Sequence, residues 1–178
     1  MKTEIHIKSK DGHIISAIFN AFGNPSIKGV IIAVHGFGEH AGSYSEFAEY
    51  MERADYASVL FDQRGHGDLS EPSVKKRKKK LGIIPGYDCF LDDIEAIMNE
   101  VIKQKPDMPI MIYGHSMGGN IVINYLLKRG QSGLSCAVLE SPWLGLYKEV
   151  SPIISGAAKI SNNVPSSRLS EEIILHVL

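Results

Sequence analysis

The chain has 178 residues, 44% of them apolar, and a formal net charge of -1, which fits one soluble globular domain with a real core and gives no electrostatic reason to expect nucleic acid or an anionic membrane as partner. Met1 to Ile18 holds no unbroken apolar stretch of signal-peptide type and no segment approaches transmembrane length, so the expected location is cytoplasmic, with no integral membrane segment. Cys89 and Cys136 lie far apart without metal-ligand spacing; they read as reduced core thiols, and neither a metal nor a cofactor is expected.

Thr3 to Lys8 alternates charged and apolar residues, Ser9-Lys10-Asp11-Gly12 supplies turn chemistry, and Ile14 to Asn20 reads as the returning strand of an antiparallel hairpin. Asn24-Pro25-Ser26 marks a loop. Gly29 to His35 is a continuous apolar run, as expected of a strand buried on both faces. After a Gly-rich turn, Tyr44, Phe47, Ala48, Met51 and Ala54 recur at helical spacing, and Ala57 to Asp62 forms a second buried strand. The basic run Lys75-Lys76-Arg77-Lys78-Lys79-Lys80 reads as a solvated loop in a near-neutral chain rather than a nucleic-acid patch.

Gly86 to Lys105 predicts a long amphipathic helix with Phe90, Ile94, Ile97, Met98 and Val101 inward and Asp92, Glu95 and Glu100 outward. Pro106-Asp107-Met108-Pro109 ends it and leads into a strand through Tyr113. A helix to about Arg129 stops at Gly130, and Cys136 to Glu140 is a short strand. Strand and helix thus alternate from Val30 to Glu140. That is the pattern of an α/β fold with a mostly parallel sheet, an N-terminal antiparallel hairpin and helices on both faces. Trp143 to Leu178 departs from the rhythm and suggests helical material lying over a site. The expected division is a core of 1–142 followed by a cap and tail of 143–178.

The chemistry concentrates at Gly114-His115-Ser116-Met117-Gly118, a G-x-S-x-G pentapeptide between an apolar strand and a helix. A Ser on so sharp a turn has its side-chain oxygen pushed out above the sheet, with the next backbone N–H facing the place where an oxyanion would form. Ser116 is therefore the candidate nucleophile. The loop His35-Gly36-Phe37-Gly38-Glu39-His40 follows the first parallel strand, and the N–H groups of Phe37 and Met117 are the candidate oxyanion donors.

The proton acceptor is harder to place. After Ser116 the chain contains one histidine, His176, no Asp, and the carboxylates Glu140, Glu149, Glu171 and Glu172. Glu140 closes a strand, and His176 has no strand before it to position it. His115 adjoins Ser116 and is expected to point away from it. His35 and His40 belong to the oxyanion loop, His66 to the next loop, and His6 and His13 to the far hairpin. None has the expected order.

Together, His35-Gly36-Phe37-Gly38-Glu39-His40, Asp62-Gln63-Arg64-Gly65-His66-Gly67, Gly114-His115-Ser116-Met117-Gly118-Gly119 and Ser141-Pro142-Trp143 resemble the monoacylglycerol lipase and lysophospholipase group of α/β-hydrolases, a serine aminopeptidase-like group. The resemblance runs from about Lys2 to Leu169. It implies Ser116 as nucleophile, Phe37 and Met117 as oxyanion donors, and Asp62, Arg64 and His66 as parts of a structural loop near the site. It also implies that Leu144 to Leu169 begins a cap over an acyl pocket, and that the substrate is a small acyl ester or lipid.

In that group two further strands carry the acid and the histidine before a final helix. Their absence here suggests a C-terminally truncated or frameshifted chain. The leading expectation is a serine carboxylic-ester hydrolase of monoacylglycerol lipase or lysophospholipase type that forms an acyl-enzyme through Ser116. The alternative is an inactive fragment lacking the triad acid and histidine. The missing strands also predict self-association through an exposed Cys136–Glu140 edge. A lyase or peroxidase use of the same fold stays open, since a fold does not fix chemistry.

Overall fold

The computed structural model describes residues 2–67 and 84–145. The elements run β1 (Lys2–Lys8), β2 (Ile14–Asn20), β3 (Gly29–Val34), a 3-10 turn (Ala41–Tyr44), α1 (Ser45–Arg53), β4 (Tyr56–Phe61), α2 (Asp88–Gln104), β5 (Ile110–His115), α3 (Met117–Arg129) and β6 (Cys136–Glu140). The hairpin forms where its turn chemistry directs. Gly12 takes φ 88°, its N–H donates to the Ser9 carbonyl at 2.9 Å, and the Ser9 N–H donates to the His13 carbonyl at 2.8 Å. Asp11 adds a side-chain bond from the His13 N–H at 3.0 Å.

The six strands form one sheet in the order β1-β2-β4-β3-β5-β6. β1 and β2 pair antiparallel, as do β2 and β4, while the β3–β4, β3–β5 and β5–β6 pairs are parallel. Every residue of β3 is buried, as a central parallel strand requires.

Helices cover both faces. Ala33 and Leu60, partners in the β3–β4 ladder, pack with Ala41 and Ala48 under α1, joined by Ile18, Phe47 and Tyr113. The opposite face carries Ile32, Val34 and Val59, and there α3 closes on β3. Helix α2 buries Phe90, Leu91, Ile94, Ile97, Met98 and Val101, an i, i+3/i+4 stripe whose burial drives the helix onto the sheet.

Two details differ from the sequence-based expectation. The first helix is entered through a 3-10 turn, so its α-helical part begins only at Ser45. The cysteines are not core thiols: Cys136 is exposed and Cys89 only partly covered. Cys136 opens β6, which lies at the sheet margin among the described residues, and its burial alternates between exposed and half-covered.

The chain divides into two units, Met1–Pro142 and Trp143–Leu178. The basic run 75–80, the cap reading from residue 146 onward, Glu149, Glu171, Glu172 and His176 all lie outside the described residues. Among the described residues, no helix is long and apolar enough to cross a membrane.

Candidate active site

The turn between β5 and α3 carries Ser116 at φ 52°, ψ −115°. A side-chain-bearing residue in that region stores on the order of 1–3 kcal/mol, held only when its surroundings over-determine it. They do so here. The Ser116 N–H donates to the Glu140 carbonyl at 3.0 Å, and its carbonyl accepts the Asn120 N–H at 3.2 Å. The sheet ladder and the first helical turn thus grip the residue from both sides.

The turn is this tight because atoms are missing. A Cβ on Gly118 would lie 2.0 Å from the Val34 carbonyl oxygen, and one on Gly114 would lie 2.7 Å from the Gly118 carbonyl oxygen. Both collisions are with backbone, which cannot rotate away. Met117 begins α3, so its N–H belongs to the first helical turn, which has no intrahelical acceptor and sits at the positive end of the helix dipole.

The loop after β3 comes against this turn. A Cβ on Gly36 would meet His115 Nδ1 at 3.2 Å and Ser116 Cβ at 3.3 Å. The next residue, Phe37, is exposed at 44%, and its ring stands edge-on to His66 at 5.2 Å between centroids. Gly38 takes φ 78° and the Glu39 N–H donates to the Gly36 carbonyl at 3.3 Å, a turn that needs glycine at its third position.

Glu39 Oε2 accepts the Gly36 N–H at 2.7 Å and the Tyr44 hydroxyl at 2.8 Å. Burial opposes its charge, but the Gly36 N–H, the Tyr44 hydroxyl and His115 outweigh burial and hold the carboxyl below its ordinary value. Tyr113 donates to Glu140 in the same region. Burial, then these carboxylates, push both phenols up, so each remains a donor.

His35 is structural. Its Nδ1–H donates to the Gly36 carbonyl at 2.8 Å and its Nε2 accepts the Gln63 N–H at 3.0 Å, which assigns the neutral tautomer. Burial is the main cause that holds its pKa down to about 4. The loop after β4 is fixed elsewhere. Arg64 Nε and Nη2 donate to the two oxygens of Asp93 at 2.5 and 2.6 Å, Nη2 also reaches Asp11 Oδ1 at 2.8 Å, and Nη1 pairs with Asp11. Asp62 accepts the Ala41 N–H at 2.7 Å. His66 donates from Nδ1 to the Arg64 carbonyl at 2.9 Å, leaving Nε2 buried with no hydrogen-bond partner among the described residues.

The structure therefore gathers Ser116, the start of α3 at Met117 and the Gly36–Phe37 loop at one end of the parallel strands. It does not bring a base to the serine: among the described residues no side chain hydrogen-bonds the Ser116 hydroxyl. His115 turns its Nδ1 to Glu39 Oε1 at 3.4 Å. The Glu140 side chain is engaged by Tyr113, and His6 and His13 lie at the hairpin end of the sheet. The Glu39–Tyr44 contact and the burial of Asp93 were not foreseen from sequence. Among the described residues, no three His, Cys, Asp or Glu converge on a metal position. A groove of about 510 Å³ between β1 and α2, lined by His6, Lys8, Lys10, Glu95 and Lys103, holds mixed charge and lies away from Ser116.

The family model described as "Serine aminopeptidase, S33" matches residues 25–178. A monoacylglycerol lipase of Mycolicibacterium smegmatis is 31% identical over 133 residues, covering 75% of this chain and 44% of that protein. A monoglyceride lipase of Rattus norvegicus is 28% identical over 175 residues, covering 95% and 54%. The chain spans about half the length of the curated relatives it matches.

Among solved structures, a thermostable carboxyl esterase from Bacillus coagulans aligns with a TM-score of 0.64 at 27% identity, covering 78% of this chain and 43% of that one. A soluble variant of the Saccharomyces cerevisiae monoglyceride lipase aligns with a TM-score of 0.64 at 24% identity, covering 88% and 49%, which shows the fold alone. With the elbow, the preceding glycine loop and the family match in agreement, this chain belongs to the Serine aminopeptidase, S33, family of α/β-hydrolases.

Proposed function

We propose that the chain carries the nucleophile and oxyanion hole of a serine carboxylic-ester hydrolase acting on monoacylglycerol- or lysophospholipid-like esters in the cytoplasm. Ser116 Oγ attacks the ester carbonyl and gives its proton to a base. The tetrahedral oxyanion accepts hydrogen bonds from the N–H groups of Phe37 and Met117. Collapse expels the alcohol and leaves an acyl-serine, which water cleaves to the free acid. The observation that carries this reading is the strained Ser116 at the strand-to-helix turn, with Gly36 so near that a Cβ placed on it would lie 3.3 Å from Ser116 Cβ. The relatives named monoacylglycerol and monoglyceride lipase support the substrate class. Residues 1–142 would form the catalytic core and 143–178 the beginning of a cap.

A second reading is an inactive chain, and it is favoured by the lack of a base on the Ser116 hydroxyl among the described residues. A fluorophosphonate probe separates the two. Labelling that Ser116→Ala abolishes supports a live nucleophile, and absence of labelling supports the inactive chain. Self-association through β6 belongs to the same proposal, since Val138 on that marginal strand is 52% exposed. Sedimentation of a monodisperse monomer would remove it.

A further inference from the structure

Glu39 touches both segments that carry the proposed oxyanion donors, next to the donors themselves. Its Oε2 holds the Gly36 N–H, one residue before Phe37, and its Oε1 lies 3.4 Å from Nδ1 of His115, one residue before Ser116. We propose that Glu39 is a positioning residue, whose carboxylate fixes the spacing of the Phe37 and Met117 N–H groups by holding the loop after β3 against the turn after β5. This rests on the donor assignment above and adds the group that keeps the two donors in register.

The local construction serves that role. The turn from Gly36 to Glu39 folds the side chain back over its own loop. Gly36 has no Cβ, and one placed there would lie 3.2 Å from Glu39 Oε2, 3.2 Å from His115 Nδ1 and 3.3 Å from Ser116 Cβ. The carboxylate, the imidazole and the nucleophile therefore close around a bare backbone position.

Tyr44 braces the carboxylate from below. Its ring lies 6.3 Å from Phe47 on α1 and 6.1 Å from Tyr113 on β5, both packed against Ala33, Ala41, Ala48 and Leu60. Only a carboxylate accepts on both oxygens. A glutamine would turn an NH₂ either toward the Gly36 and Tyr44 donors or toward His115. An aspartate is one methylene shorter and would not span the gap. Glu39 and His115 side chains are 33% and 32% exposed, shielded enough for the contact to hold in solution.

The test is heteronuclear NMR on the full chain, following backbone amides from neutral pH into acid. The titratable groups facing Glu39 are His115 and Tyr113 from β5, Tyr44 from the 3-10 turn, Glu140 from β6 and His35 from its own loop. The amides of Gly36 and Met117 are expected to shift together with one midpoint below the ordinary glutamate value of 4.5. That shared step disappears in Glu39→Gln and survives in Glu140→Gln. Hydrogen exchange at the Gly36 amide rises about tenfold in Glu39→Gln.

A step at Gly36 without one at Met117 would mean that Glu39 organises only its own loop, and it would overturn the proposal. No step at either amide would overturn it as well. Should acid unfold the chain before the midpoint, Glu39→Gln and Glu39→Asp compared at neutral pH decide. Coupled changes at Gly36 and Met117 support the role, and changes confined to the loop refute it. Reactivity of Ser116 plays no part in this readout, so an unreactive serine would count against the hydrolase reading and leave the role of Glu39 standing.

Discussion

The loops after β3 and β4 leave neighbouring parallel strands side by side, yet different physics holds them. The first, with the elbow it meets, depends on atoms left out. Gly36, Gly114 and Gly118 let backbone meet backbone around Ser116. The second depends on charges put in. Arg64, 6% exposed, is clamped between Asp93, whose side chain is 4% exposed, and Asp11. A region built by omission fails when something is inserted. A region built on a buried ion pair fails when one partner is removed, because the other is left charged in a poor solvent.

Insertion is expected to be the more damaging. Gly118→Ala would force a methyl group to within 2.0 Å of the Val34 carbonyl oxygen unless α3 lifts off the sheet. A loss above about 4 kcal/mol is expected, and a urea unfolding curve unchanged from the parent would refute the packing described. Removal comes next. Arg64→Met leaves Asp93 buried and unpaired and costs about 3–5 kcal/mol, most of it restored by adding Asp93→Leu. If the double variant is no more stable than the single one, the ion pair is not what holds the loop.

His35 joins the two loops, so acid sharpens the comparison. The unfolded chain takes up a proton on this imidazole as pH falls through its ordinary 6.5, whereas the folded chain resists until about 4. The unfolded state then binds more protons, so stability falls as pH drops across that window and is unaffected by this group above it. The loss reaches up to about 3 kcal/mol. Denaturation midpoints at about pH 7 and about pH 4.5 should show it, less steeply in His35→Gln; equal slopes would exonerate His35.

The smallest effect concerns strain itself. Ser116→Gly removes the proposed nucleophile and relieves the φ 52° backbone, and a gain of about 1 kcal/mol is expected. A fall in Tm would mean that the serine side chain stabilises the turn more than its backbone strains it.

Much of this is legible from residue order. The unbroken Gly29–Val34 run and the period-two hairpin place the sheet, and the pentapeptide places the turn. Asp93 also leaves a mark in the sequence. It stands three residues after Phe90 and four before Ile97, on the apolar stripe of α2, where a carboxylate demands a cation. Sequence does not name that cation, because Arg64 lies 29 residues earlier and no local period connects them. Glu39 is visible as part of a motif, but its grip on Gly36 and Tyr44 depends on a turn that only coordinates reveal. Cys136 misleads because an apolar strand suggests cover on both faces, whereas β6 lies at the margin of the described sheet.

The ladder between β5 and β6 ends at His115 opposite Glu140, and the Glu140 carbonyl also takes the Ser116 N–H. The strained residue is therefore latched to the shortest of the described strands, five residues at the margin of the described sheet. Fraying is easiest at such a position. Each time β6 peels from its neighbour, Ser116 loses the bond that opposes its strain and can relax out of the elbow. The poise of Ser116 thus depends on the pairing of that strand as well as on the first turn of α3.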